Sequence, residues 1–392
     1  MPEIDLIKIK EIGLRLVQSV VPWNRRDFVP EVIIGKEPRI KVLVGFRGLG
    51  KTTALLQLVD EKSIYFSMDH PYCMGYSLYE LGKAFVNAGY TSLLIDEVHH
   101  YPEWKRDSKA LYDEFSKISL VLSGSAPLAF EPERRYHIIP VNPLSLREFI
   151  KIQNKTITDQ SEAWRTIDTT LSFLAAHSQL QEYFQHYWQG GGFPIYLSYK
   201  EKTLEAVYNG IRKSIREDAP FFAKVGGEDV MLMERFLLTI ATSSLGEMSI
   251  NSLSNNLGMK KQKGYELIWL LEKMKILRLV RPYGRGPKAV RGDSKLLFYH
   301  PNIRSAVCAT LQVSPDKGAL REELAVFSLM GRGWSVYTIK GKKKSPDYMI
   351  CKGSEKIIVE VGGSSKTRRQ LSGFSEQTML LDERQLLILS LW

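Results

Sequence analysis

Gly45-Phe46-Arg47-Gly48-Leu49-Gly50-Lys51-Thr52 spells G-x-x-x-x-G-K-T, the pattern of a phosphate loop. An apolar run, Ile40 to Val44, precedes it, and a helical run, Thr53 to Val59, follows. Strand, glycine-rich loop and helix form the setting in which this motif cradles phosphate rather than merely turning the chain. Glycines let backbone N–H groups converge on phosphate oxygens with no Cβ in the way, and the helix start adds partial positive charge. The expected roles are specific. Lys51 reaches the β- and γ-phosphates and the Thr52 hydroxyl ligates Mg²⁺, while Gly45, Arg47, Gly48, Gly50 and Thr53 surround the nucleotide.

Working outward, the pattern alternates between strands and helices. Ser63 to Ser67 reads as a strand running on to Asp69, and Ser77 to Asn87 as a helix. Ser92-Leu93-Leu94-Ile95-Asp96-Glu97 is a buried-strand run ending in two acids. An apolar run ending in Asp-Glu is weak evidence alone; paired with the upstream phosphate loop it predicts that Asp96 holds Mg²⁺ through water and Glu97 activates the attacking water. Ile118 to Leu122 is the next strand, and Ser123 or Ser125 at its tip either senses the γ-phosphate or caps the following turn. Such alternation implies an α/β fold, a parallel sheet covered on both faces. Arg134 and Arg135 offer a finger for a neighbouring subunit's site, or a surface pair near Glu131 and Glu133.

Further strings identify a family. Asp96-Glu97-Val98-His99 with Trp104, Leu111-Tyr112-Asp113, Gly124-Ser125, Arg135-Tyr136, Pro143-Leu144-Ser145-Leu146-Arg147-Glu148-Phe149 and Gly191-Gly192-Phe193-Pro194 join the phosphate loop. Together they resemble prokaryotic AAA+ ATPases that carry an uncharacterised, nuclease-like C-terminal domain. The P-L-S-x-R-E-F string is the most specific element, and the resemblance covers most of the chain. It implies an ASCE-type sheet with an extra strand between the two Walker strands. It favours Arg135 as the finger, hence a homo-oligomer. It also implies ATP rather than GTP, and a signalling or switch ATPase.

Composition bounds the rest. A chain of 392 residues exceeds one ordinary core, so two to four domains are expected. No apolar run approaches the ~20 residues of a membrane helix, and Met1 to Lys10 has no signal-peptide core. Cys73, Cys308 and Cys351 lack metal spacing and read as reduced thiols of a cytoplasmic protein. The net charge of +11 is unevenly placed: residues 249–370 hold 24 Lys/Arg against 9 Asp/Glu, whereas residues 1–248 hold 29 against 31. A half so basic points to a polyanionic partner, most simply DNA.

Residues 1–150 are therefore expected to form the nucleotide-binding domain, and 151–228 a helical lid broken at Gly190-Gly191-Gly192-Phe193-Pro194. His99, His100 and His186 lack ligand-spaced partners and read as core or surface histidines rather than metal ligands. Residues 229–302 read as a winged helix. Lys260, Lys261 and Lys263 open its recognition helix, and Arg285, Lys288 and Arg291 sit on the wing, all aimed at DNA phosphates. In 303–392, a helix containing Glu323 precedes a strand, then Pro346-Asp347 and Glu360, thirteen residues on, resemble a PD-(D/E)xK nuclease core. Asp347 and Glu360 would bind Mg²⁺. The lysine expected at 362 is Gly362, with Lys366 a substitute from nearby, so a degenerate nuclease-like domain is expected. The whole reads as a Mg²⁺-dependent ATPase associated with DNA. The rivals are a STAND-like signalling ATPase with a protein partner and an ATP-gated nuclease.

Overall fold

The computed structural model describes residues 4–34, 40–124, 134–157, 162–243, 250–284, 294–339, 346–363 and 371–392. The chain divides into two compact units. One holds residues 1–142 together with 216–224, and the other holds 143–215 together with 225–392. The break after Asn142 lies close to the expected boundary at 150, but the segment 151–228, expected as one helical lid, is shared between the two units.

The first unit is built on five strands: β1 (Ile40–Val44), β2 (Ser63–Ser67), β3 (Ser92–Asp96), β4 (Ser119–Gly124) and β5 (Tyr136–Pro140). All pair in parallel, in the order β2-β3-β4-β1-β5. The burial pattern explains the arrangement. β1 is buried at every position, and β2, β3 and β4 at all but one. Strands apolar on both faces need helices above and below, which parallel crossovers supply. The helix Leu6–Val20 packs against β2, and Trp104–Glu114 packs against Leu78–Asn87. The latter opens with a capping box: the Glu80 backbone N–H donates to the Ser77 hydroxyl (3.0 Å), and Ser77 N–H donates to the Glu80 carboxylate (2.8 Å). β4 lies between β1 and β3, pairing Val42 with Leu122 on one side and Leu94 with Val121 on the other. This is the extra strand implied by the family resemblance.

In the second unit three helices, Gly227–Thr242, Ile250–Asn256 and Lys261–Lys273, precede an antiparallel pair, β6 (Leu277–Val280) and β7 (Lys295–Phe298). The helix Lys317–Gly331 then leads into a four-stranded sheet ordered β11-β10-β9-β8. β8 (Ser335–Tyr337), β9 (Tyr348–Lys352) and β10 (Glu355–Val361) run antiparallel, and β11 (Gln377–Leu381) runs parallel to β10. Arg304, on the helix Pro301–Thr310, ties these parts together. It is fully buried and pairs with Glu323 at 2.8 Å. It also donates to the Ile240 and Ala241 carbonyls, while Phe298 N–H donates to Glu323.

The glycine break at 190–194 docks on His300. Gly192 N–H donates to Asn302 Oδ1 at 2.9 Å, and a Cβ on Gly192 would lie 2.2 Å from the His300 ring, so only glycine fits. Asn302 N–H donates to His300 Nδ1 (3.2 Å), and the Tyr187 hydroxyl lies 3.0 Å from Nε2. Burial, with the charge of Arg278, pulls the His300 pKa from 6.5 down to about 3. The unfolded chain takes up a proton near 6.5 that the folded state refuses, so this group's contribution to stability is full above 6.5 and is lost as pH falls toward 3. The slope is about 1.36 kcal/mol per pH unit. Thermal melts of His300→Gln across that window should show a shallower acid loss than wild type; parallel curves would exclude this ring as the source.

Candidate active site

The phosphate loop joins β1 to the helix Lys51–Leu56. Gly48 and Gly50 take φ of +77° and +86°, the left-handed region open to glycine. Arg47 is half-buried, Gly48 and Thr52 are exposed, and Thr53 is partly so. Lys51 is buried, and its ammonium donates to the carbonyls of Gly45 (2.9 Å) and Phe46 (3.0 Å). Burial lowers the Lys51 pKa, opposed by the charges of Glu97 and Asp96, so these three groups share one electrostatic neighbourhood.

Asp96 ends β3 and is almost wholly buried. It accepts from both neighbouring strands: the Tyr65 hydroxyl of β2 donates to Oδ2 at 3.0 Å, and the Ser123 hydroxyl of β4 donates to Oδ1. Glu97 N–H adds a third donor at 3.1 Å. Burial, then the charge of Asp96, raises the Tyr65 pKa, so this phenol stays a donor. Of the two serines expected at the tip of β4, Ser123 therefore serves Asp96, and Ser125 lies outside the described residues. Glu97 sits at φ +48°, an uncommon conformation for a side-chain-bearing residue. Burial, followed by the charge of Asp96, raises its pKa, while Lys51, His99 and Arg47 pull the other way.

The sequence reading missed the partner of Arg47. The segment 216–224 belongs to this unit and buries Asp218 completely. Arg47 Nε donates to Asp218 Oδ2 at 3.0 Å and Nη2 donates to Oδ1, with Glu217 3.5 Å away. Burial works to lower the Arg47 pKa, but the hydrogen bonds and charge of Asp218, with Glu97 and Glu217, prevail and raise it. His99, fully buried, places Nδ1 3.2 Å from Glu97 Oε2 and Nε2 3.6 Å from Asp218 Oδ1. No local signal marks Asp218, which lies 171 residues from Arg47 in the chain.

Arg135 stands elsewhere. It precedes the first residue of β5, so it lies at the opposite end of the parallel sheet from the phosphate loop, and it pairs with Asp113 at 3.5 Å on the surface. In the second unit, the Asp347 and Glu360 carboxylates each accept a backbone N–H from beside the other: Asp347 N–H donates to Glu360 (3.2 Å), and Val361 N–H to Asp347 (2.9 Å). Two neighbours were not foreseen. Glu322, rather than the adjacent Glu323, joins this cluster, and Lys295 of β7 pairs with Glu322 and lies 3.7 Å from Asp347. Tyr348 donates to Glu322 at 2.7 Å. Glu323 turns instead to Arg304. Lys366 lies outside the described residues. Among the lysines expected to face DNA, Lys260 and Lys261 are exposed, whereas Lys263 is held by Asp229 at 2.6 Å. Arg285, Lys288 and Arg291 lie outside the described residues.

Residues 37–150 match the family model described as an AAA domain, and residues 181–317 match a domain of unknown function, DUF8612. The uncharacterized protein MJ1637 of Methanocaldococcus jannaschii is 26% identical over 380 residues, spanning 88% of this chain and 80% of that protein. Among solved structures, the Thermotoga maritima RuvB Holliday junction branch migration motor is 14% identical, covering 80% of this chain and 99% of that one, with a TM-score of 0.30. A signal transduction ATPase with numerous domains (STAND) carrying a tetratricopeptide repeat sensor, from Pyrococcus horikoshii, is 11% identical. It covers 77% of this chain and 45% of that one, with a TM-score of 0.30. The family match and the five-stranded parallel sheet agree on an AAA-type P-loop domain in the first unit.

Proposed function

We propose that this chain is a Mg²⁺-dependent ATPase that couples ATP binding and hydrolysis to a conformational change, and that it works in association with DNA. The observation that supports hydrolysis best is the grouping of Lys51, Asp96 and Glu97 in one electrostatic neighbourhood beside a phosphate loop. Mg²⁺ prefers hard oxygen ligands. An exposed Thr52 hydroxyl and an Asp96 carboxylate fixed by three donors form such a set, with Asp96 acting through water. When bound, Mg²⁺ neutralises charge on the β- and γ-phosphates. Lys51 gives up its loop carbonyls for phosphate oxygens. Glu97, its pKa raised by burial and Asp96, takes the proton of the attacking water. Gly45, Gly48, Gly50 and Thr53 line the nucleotide, and Ser125 is assigned to it from the sequence alone. Preference for ATP over GTP rests on the family resemblance.

Arg135 stands away from its own chain's phosphate loop, so a role as finger requires a neighbouring copy, a homo-oligomer. DNA association rests on the charge of residues 249–370 and on Lys260 and Lys261 at the start of a helix followed by a β-ribbon, as in a winged helix. Lys263 contributes less, being paired with Asp229. Arg285, Lys288 and Arg291 add positive charge in the sequence between β6 and β7. Cleavage by the C-terminal domain is the weaker reading. Lys295 already neutralises Glu322 beside Asp347, and Gly362 replaces the expected lysine.

A second reading is favoured by one contact. Asp218 holds the phosphate-loop arginine through both carboxylate oxygens. A loop restrained by its own chain suits a signalling switch with slow turnover and a protein partner.

Three outcomes are expected. Glu97→Gln should retain nucleotide binding, read by fluorescent-nucleotide titration, while single-turnover hydrolysis falls roughly 10²–10⁴-fold; undiminished hydrolysis would remove Glu97 as the base. Arg135→Ala, assayed at concentrations where the wild type assembles, should lose turnover but not binding, and unchanged turnover rules it out as a finger. Duplex DNA should stimulate steady-state hydrolysis, with the stimulation fading as salt rises. Indifference to DNA at every salt concentration would leave the signalling reading in its place.

A further inference from the structure

Glu97, His99 and His100 each offer a ligand atom, and these atoms lie within 4.8 Å of one another. Their gathering follows from local geometry. The left-handed turn at Glu97 starts a single 3₁₀ turn, Val98–His100, that brings both imidazoles back toward the carboxylate. The two rings are 4.4 Å apart. Glu97 Oε2 is buried without a hydrogen bond among the described residues and faces His99 Nδ1 at 3.2 Å.

From this arrangement we infer that Glu97, His99 and His100 bind one divalent transition-metal ion of the Zn²⁺ type, and that the ion inhibits hydrolysis by occupying the Glu97 carboxylate. Only the inhibition rests on the proposed role of Glu97. Two imidazoles and one carboxylate are a familiar three-ligand set for Zn²⁺, with a fourth position left to water. The surroundings suit such an ion. Asp218 stands 3.6 Å from His99 Nε2, where a carboxylate orients a ligating imidazole and exposes its other nitrogen. Asp218 is itself fixed by Arg47. Phe221 lies edge-on to both histidine rings, at 6.1 and 5.7 Å, and gives the cluster an apolar wall. Imidazole donors separate this site from the oxygen donors Thr52 and Asp96: the first favours Zn²⁺ or Co²⁺, the second Mg²⁺. Bound metal and bound water compete for one carboxylate, so the ion acts as a brake rather than a cofactor.

The test uses the full-length, nucleotide-free protein titrated with Co²⁺, followed by its visible absorption. One Co²⁺ per chain should give the intense bands of a four-coordinate site, displaced by Zn²⁺ and unaffected by excess Mg²⁺. His100→Ala, checked by thermal melting to be folded, should lose the bands and bind roughly tenfold or more weakly. No such bands in wild type, or equal bands in His100→Ala, overturns the site; His100→Gln gives the same reading if the alanine variant fails to fold. With Mg²⁺ present throughout, Zn²⁺ should then slow ATP hydrolysis by wild type, with His100→Ala insensitive relative to its own rate without Zn²⁺. Co²⁺ binding without inhibition would uphold the site and overturn the brake, placing the fault in the role given to Glu97.

Discussion

The insertion of β4 between β1 and β3 is the constraint on which the first unit depends. It separates the strand that launches the phosphate loop from the strand that ends in Asp96 by one strand width, about 4.8 Å on each side. All three run in parallel, so their carboxyl ends lie together and the loop and the acids share one end of the sheet. The same order gives Asp96 a neighbour on either side. Tyr65 from β2 and Ser123 from β4 each take one carboxylate oxygen, which holds a nearly buried charge in a fixed direction. An antiparallel β4, or one at the sheet edge, would leave that carboxylate half-satisfied and the loop facing nothing.

Around this end the charges form a connected chain. Lys51 and Arg47 face Asp96, Glu97 and Asp218, and His99 lies between Glu97 and Asp218. Such a network is sensitive to what enters it, because each buried group depends on its partners for compensation. Under the proposed function a phosphate at the loop would compete with Asp218 for Arg47 and with backbone carbonyls for Lys51, and under the further inference a transition metal at the histidines would compete with water for Glu97. In the second unit Arg304 has a structural part instead: a fully buried guanidinium joins the three-helix region to the helix Lys317–Gly331 through Glu323. Removing either partner strands a buried charge, commonly a loss of about 3–5 kcal/mol.

Much of the first unit was legible from local pattern. Apolar runs between helical stretches gave four of the five strands, β1 to β4, and the two motifs put Lys51 and Thr52 at a helix start and Asp96, with Glu97 after it, at a strand tip. What stayed hidden involves residues far apart in sequence. Tyr65 is one aromatic within a strand, and nothing in its neighbours says that it points at Asp96. Asp218 sits in a polar run, Arg216-Glu217-Asp218, that looks like a solvated face. The partner of His99 and His100 is Glu97, two and three residues back, reached only through a left-handed turn. No motif marks Lys295, and Glu322 is distinguished from Glu323 only by which side of its helix meets β9.

The strand–loop–helix unit, the acids that end β3 and the concentration of positive charge in residues 249–370 can be read from the chain alone. These rest on interactions within a few residues, or on composition, so no distant contact is needed to read them. Only the tertiary structure decided which side chains meet. It assigned Ser123 to Asp96, Asp218 to Arg47, Lys295 to Glu322 and Arg135 to the far end of the sheet. The reason is physical: pairing between remote side chains follows from strand order and helix rotation. Those are set by the joint packing of all the apolar faces, not by any segment alone.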